Sequence, residues 1–423
     1  MKLRILVRAA TAIATFALAV TATAIMTPIA ASPPSHSQNE VAAAVNGHEP
    51  RAKPNTDWVA GWRAAAQPPM SGVSETGFSN QTVRMVIRAD ATGNELRVRL
   101  SNAYGAHPVA IGSISIAKHA SGPGTVKDSR RAVTVDRNAD FSIPVGAEVV
   151  SDPIRLPVTR GEDLVVSVFL PQATGPATWH RWAEATTYIS EPGDWTSEPG
   201  GSPYQTTTPS WFFLDGVDVK GPVVSGTVVA FGDSITDGHY ATIDRNGRWT
   251  DWLAHRNPKV SVINEGIGGN EILHDKPTGG ESALNRIDRD IVNQLGVTDV
   301  ILLEGINDIA GDATTGQVID GMKQIIDSAH THRLNIVGGT LTPWEGSSAY
   351  TAKRELVREQ VNRWIRTSRA FDGFVDFDKV TRDPHNRHAL RPRYDSGGGH
   401  IHPNDLGYKA MGDLVDLDML RGR

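Results

Sequence analysis

Gly226-Thr-Val-Val-Ala-Phe-Gly-Asp-Ser-Ile-Thr-Asp-Gly238 is the stretch on which the reading of this chain turns. Val228 to Phe231 are apolar on consecutive positions, partly β-branched and few in number, the pattern of a strand buried on both faces. The run stops at Gly232-Asp233. A turn there lifts the Ser234 hydroxyl above the strand end, beside the unpaired N–H groups of whatever helix begins next. Developing negative charge is favoured at such a place, so Ser234 is a candidate nucleophile. The competing reading is an ordinary turn with Ser or Asp as a helix N-cap. The stretch is not the Gly-x-Ser-x-Gly elbow of α/β-hydrolases, because position 236 is Thr.

Downstream of that stretch, strand and helix patterns take turns. Residues 260–264, 299–303, 334–340 and 373–377 are short strand-like runs. Between them apolar residues recur at helical spacing: Leu284, Ile287, Ile291 and Leu295; Val318, Met322, Ile325, Ile326 and Ala329; Leu356, Val361, Trp364 and Ile365. A final helix is expected from Asp405 toward Leu420. This alternation predicts an α/β fold, a doubly wound, parallel five-stranded sheet of flavodoxin-like type with helices on both faces. Ligands in such sheets sit at the carboxyl ends of the strands.

Upstream the pattern is β. Residues 81–88 and 95–100 alternate apolar and polar at period two, and Ala91-Thr-Gly-Asn94 between them is turn chemistry, which predicts a hairpin with one wet face. Further strands are expected at 109–116, 131–135, 148–154, 164–169 and 211–219, at intervals suiting a β-sandwich. Residues 196–209, rich in Gly, Pro, Ser and Thr, read as a surface crossing. Trp58, Trp62, Trp179, Trp182, Trp211, Phe212 and Phe213 fall in this part. They form either a platform that stacks on sugar rings or, as is commoner in sandwiches, the core. Gly221-Pro222 marks a boundary. The expected organisation is a signal peptide over residues 1–31, a disordered tether over 32–55, a β-sandwich accessory domain over 56–221 and a catalytic domain over 222–423.

The chain has 423 residues, 39% of them hydrophobic and 21% charged, with a formal net charge of −5. It can bury a substantial core. No run of Lys and Arg forms a stripe to neutralise a phosphate backbone, so nucleic acid is not an expected partner. Lys2, Arg4 and Arg8 precede a short apolar segment broken by threonines, and Ala30-Ala31 follow. That is how a secretory signal reads, so a secreted protein cleaved near Ala31 is expected, with no integral membrane segment afterwards. Cysteine is absent, which excludes thiol catalysis and cysteine metal sites.

If ligands sit at strand ends, the residues just beyond each strand carry the chemistry. Asn264-Glu-Gly-Ile-Gly-Gly-Asn270 follows the second strand of the α/β part, and its glycines let a backbone N–H approach an oxygen closely. Glu304-Gly-Ile-Asn-Asp308 follows the third and offers an amide donor. Gly397-Gly-Gly-His-Ile-His-Pro-Asn404 precedes the last helix and offers an imidazole able to take a serine proton. His400 and His402 as a metal pair lack a third ligand group at metal-like spacing, so no metal is expected.

Taken in order, Gly-Asp-Ser-Ile-Thr-Asp-Gly, Gly269, Gly305-Ile-Asn-Asp308 and His402-Pro-Asn resemble the SGNH (GDSL-type) hydrolase family, over residues 227–420. The preceding β part looks like the sandwich of some secreted bacterial members. The resemblance implies that Ser234 is the nucleophile and His402 the general base. It also implies an oxyanion hole made of the Ser234 N–H, the Gly269 N–H and the Asn307 side chain, with no cofactor. The implied activity is that of a serine carboxylic-ester hydrolase working through an acyl-enzyme on a small-molecule or carbohydrate ester. Short acyl groups are the expected leaving acyls, carbohydrate O-acetyl groups among them. A lipase or phospholipase of the same family and a non-catalytic glycan-binding protein are the alternatives.

One position departs from the pattern. Most family members carry an aspartate three residues before the histidine, and here that position is Gly399. Asp395 reaching back, a backbone carbonyl, or loss of catalysis are the options, since losing the orienting carboxylate of a serine triad costs about 10⁴ in turnover without abolishing it.

Overall fold

Thr227–Gly232 is buried along its whole length in the computed structural model, which describes residues 58–221 and 226–421. Ser261–Gly266 and Val297–Leu303 flank it in parallel, and Asn335–Gly339 and Gly373–Val375 complete a five-stranded sheet. The spatial order is second, first, third, fourth, fifth, the doubly wound arrangement expected from the alternation. Gly232 stands level with Gly266 on one side and Leu303 on the other, so the three loops that follow these strands emerge together at one sheet edge.

The helices pack in two groups, as a sheet covered on both faces requires. Trp249–Arg256 packs on Asp405–Leu414, whereas Thr315–Thr331 packs on Ala283–Ile287 and Ala352–Thr367. Thr315–Thr331 forms where it does for two local reasons. Thr314 and Gln317 close a capping box, and Val318, Met322, Ile325, Ile326 and Ala329 bury one stripe. The segment expected as one helix near Leu284 to Leu295 is shorter, passing from Ala283–Ile287 into a π-helical turn at Asp288–Val292.

The upstream part has a six-stranded and a five-stranded sheet, antiparallel throughout, with a shared apolar core, as a β-sandwich requires, and two further two-stranded ribbons, Trp179–His180 with Trp211–Phe212 and Val109–Ile111 with Phe141–Ile143. Two expectations fail here. Gln81–Arg88 and Gly93–Ser101 are not a hairpin: the first pairs with Asp163–Leu170 and Thr187–Pro192, the second with Leu214–Lys220 and Ile154–Val158 in the other sheet. The turn between them crosses the core, and Val83, Met85 and Ile87 face Leu96, Val98 and Leu100 from opposite sides of it. Nor is the far face of Gln81–Arg88 wet. Arg84 is fully buried and donates to Ser167 and to the carbonyls of Pro123, Trp195, Glu198 and Gly200. Residues 196–209 are thus a covering segment, and they contain a strand, Tyr204–Thr208.

Of the aromatics in this part, Trp58, Trp62, Trp179, Trp211, Phe212 and Phe213 are buried, the core alternative. Trp182 is the exception and reappears below. The described residues form one compact unit. Arg63 reaches Gln294 at 2.7 Å, and Arg160 donates to the carbonyls of Ala254 and Val260. The expected signal peptide and tether, and residues 222–225 beside the expected boundary, lie outside the described residues.

Arg286 holds the functional edge of the sheet. Its fully buried guanidinium donates to the Gly232 carbonyl (3.0 Å), the Glu265 carbonyl (2.7 Å), Asn270 Oδ1 (3.0 Å) and Asp290 Oδ2 (3.0 Å), and lies 3.9 Å from the Phe231 ring centre. Replacing it by Met removes all four bonds at once and leaves Asp290 with Arg289 alone, which donates to its Oδ1 at 2.7 Å. Arg286→Met is therefore expected to lower unfolding free energy by about 3–5 kcal/mol in denaturant titration; an unchanged midpoint would contradict this.

Candidate active site

Ser234 opens a four-residue helix, Ser234–Asp237, capped by Asp233, whose carboxylate accepts the Ile235 N–H at 2.9 Å. The serine is only 5% exposed. Its Oγ lies 2.8 Å from His402 Nε2 across a sequence separation of 168 residues. The structure thus brings together the two residues that the sequence singles out at opposite ends of the α/β part.

The other two strand-end loops join the same place. Ile267 N–H donates to Gly232 carbonyl at 3.0 Å, and Gly268 N–H to Asp237 Oδ2 at 3.0 Å, which ties the glycine loop to the turn carrying Ser234. The N–H of Asn270 is also taken, by Ile267, whereas that of Gly269 enters no intramolecular bond. Asn307 donates through Nδ2 to the Asn270 carbonyl at 2.8 Å, fixing its amide beside the glycine loop and leaving a second amide hydrogen for a ligand. Ser234, Gly269 and Asn307 are therefore linked through a short chain of contacts at one strand edge.

The carboxyls around these loops are structural. Asp308 accepts the N–H groups of Ile272 and Leu273, and burial pushes its pKa up to about 6 against those two bonds. Burial raises Asp233 to about 7, with Asp308 and Asp237 adding to the rise. Glu304, fully buried with Oε2 3.9 Å from the Arg286 guanidinium, is held above the usual carboxylate range by burial and by Asp233.

The loop before the last helix answers the question raised by Gly399. Asp395 does not reach His402: its Oδ2 bonds His400 Nδ1 at 2.6 Å and its Oδ1 accepts the Gly397 N–H. His402 Nδ1 is buried and has no well-formed hydrogen bond, and the backbone of Gly398 is the main-chain group that acts on the ring. Gly399 itself has φ +78°, a conformation that an aspartate would adopt only with strain, and a Cβ there would meet nothing within 4 Å. Burial lowers the His402 pKa to about 4, the charge of His239 lowers it further, and the Gly398 backbone and Asp237 act weakly the other way.

Several residues near the site were not legible as such in the sequence, and three come from the sandwich. His180 bridges the Ala65 carbonyl (2.9 Å) and Asp237 Oδ1 (3.0 Å), bracing the nucleophile turn. Trp182 stacks on His239, and Glu184 lies 3.3 Å from its Nδ1. Arg248 donates to the carbonyls of both Asp237 and Ala183, clasping the nucleophile turn to the sandwich. A local signal existed for His239-Tyr240, which directly follow Gly238; none existed for residues contributed across the interface.

Residues 230–410 match the model of the GDSL-like Lipase/Acylhydrolase family. No curated protein matches the chain. Among solved structures, a lipolytic protein of the G-D-S-L family from Desulfitobacterium hafniense is 20% identical, with a TM-score of 0.36, covering 44% of this chain and 96% of that one. A carbohydrate acetylesterase from Sinorhizobium meliloti (15% identity, TM-score 0.37) and an aryl esterase from M. smegmatis (16%, 0.37) each cover 44% of this chain and 94% of their own. The segment that matches the GDSL-like lipase/acylhydrolase model, residues 230–410, is the one that carries Ser234, Gly269, Asn307 and His402.

Proposed function

We propose that the protein is a serine esterase that removes short acyl groups by way of an acyl-enzyme, with Ser234 as nucleophile and His402 as general base. The observation that carries this reading is the 2.8 Å contact between Ser234 Oγ and His402 Nε2. A serine hydroxyl becomes nucleophilic when a positioned base accepts its proton during attack. In the first half-reaction, Oγ bonds the ester carbonyl carbon as its proton moves to Nε2. The oxyanion is held by the N–H groups of Ser234 and Gly269 and the amide of Asn307, and the alcohol then leaves with the proton from His402. Water repeats the sequence on the acyl-serine and releases the acid. Acetyl groups on carbohydrate hydroxyls are the substrate class we put first, in a secreted protein whose sandwich and catalytic part act together.

A second reading, hydrolysis of longer acyl chains, draws on Tyr240, Ile243 and Leu406, which are 46%, 47% and 59% exposed. Tyr240 abuts His402, and Thr242 bonds Asp405, which brings the neighbours of those two residues to the same rim. Nitrophenyl esters from acetyl to palmitoyl separate the two readings: the first expects kcat/KM to fall with chain length, the second to rise. Ser234→Ala is expected to abolish turnover in either case, and activity surviving it would end both.

Two further outcomes follow from the geometry. Asn307→Ala is expected to lower kcat by about 10²–10³ with little change in KM, as for other single oxyanion donors; loss confined to KM would contradict the role. Because His402 must be neutral to accept a proton, and its pKa is depressed to about 4, kcat/KM should stay level from neutral pH down and fall only as pH drops through about 4. An acid limb near the ordinary imidazole value, about 6.5, would contradict that environment.

A further inference from the structure

In a serine triad the carboxylate fixes the ring of the general base in place and stabilises the imidazolium that forms. His402 has no such partner, yet its ring is confined. The His239 ring meets it edge-on, with centres 4.9 Å apart and planes at 88°, and Tyr240 lies at 5.4 Å. His239 is itself fixed on every side. Trp182 stacks on it at 3.7 Å and 11°, and Glu184 lies 3.3 Å from its Nδ1. Its N–H donates to the Ser234 carbonyl, and Tyr408 donates to its carbonyl. Trp182 also presses on the glycine loop, since a Cβ on Gly268 would come within 2.0 Å of its ring. Both Trp182 and Glu184 belong to the sandwich, and Glu184, with φ +44°, is tied to the α/β part, its carbonyl accepting the Asp244 N–H.

We propose that Trp182 and Glu184 act through His239 as the positioning element of His402, so that the sandwich supplies in packed rings the orientation that the loop at Gly399 cannot. This rests on the esterase reading above. The substitution is incomplete in one respect. A ring wall orients the base, but no negative charge touches Nδ1. The charged and titratable groups facing His402 are His239 and Tyr240 from the loop after the nucleophile, Asp237 from the nucleophile helix and Ser234 itself; Glu184 faces His239 from the sandwich. Burial, and after it His239, opposes protonation of His402, so the rings that hold the base also help keep it free to accept a proton at mildly acidic pH.

The test is steady-state kinetics across pH on Glu184→Gln, Trp182→Ala, Trp182→Phe and His239→Phe, beside native protein and Ser234→Ala, with thermal melts to verify folding. Glu184→Gln and Trp182→Ala are expected to lower kcat about 10–100-fold at nearly constant KM, the scale of a misplaced reacting group, with Trp182→Phe recovering most of the loss. His239→Phe keeps a ring and removes its charge while leaving His402 buried, so the acid limb of kcat/KM should move up from about 4 but stay below the ordinary imidazole range. Native kcat and a native acid limb in all four folded variants, with Ser234→Ala inactive, would overturn the inference while leaving the esterase reading intact. Hydrolysis surviving Ser234→Ala would strike the nucleophile assignment first and the inference with it.

Discussion

The buried guanidinium of Arg286 is the interaction on which the geometry of this site depends. A parallel sheet ends in carbonyls that no neighbouring strand can satisfy, and in this chain the strand ends must also carry a nucleophile and a donor loop. Arg286 resolves both demands by donating to the last carbonyl of the nucleophile strand, to Glu265 in the next strand, and to Asn270, whose carbonyl in turn holds Asn307. One side chain thereby sets the relative height of three loops. Its position on a short helix that turns π-helical just behind it, at Asp288–Val292, is consistent with a segment shaped by that task more than by helix propensity.

The second constraint is that the base is held without a carboxylate. Hydrogen bonding is directional and fixes the ring of a histidine through one atom, whereas ring packing needs walls on more than one side. Here those walls are His239 and Tyr240, backed by Trp182, and the backing comes from a part of the chain that precedes the catalytic residues by about fifty positions. His180 and Arg248 brace the nucleophile turn against the same part. The sandwich is on this view a structural half of the site.

The sheet and the four candidate blocks are legible because their signals are local. Consecutive apolar residues mark buried parallel strands, and Gly232-Asp233-Ser234, Gly268-Gly269, Asn307 and His402 each stand directly beyond a strand or before a helix. The hairpin expected at Ala91–Asn94 was not a hairpin, because period-two alternation fixes which face a strand buries but not which neighbour it pairs with. Arg84 looked like a solvent-facing residue for the same reason: nothing in residues 81–88 announces that residues 195–200 fold over it. Asp395 was a candidate partner for His402 by proximity in sequence, but the loop turns at Gly397 and Gly399 deliver it to His400 instead. Trp182 is read from sequence only as one of the sandwich aromatics and Glu184 carries no signal, since the role of both lies in His239, which only the folded chain brings near.

The central claim is that Ser234 and His402 form one acyl-transfer unit. Rapid quenching of the protein with an activated acetyl ester, followed by peptide mass analysis, tests it most directly. The account predicts a transient acetyl group on Ser234 that His402→Ala fails to accumulate; acetylation elsewhere, or turnover with Ser234 never labelled, would contradict it.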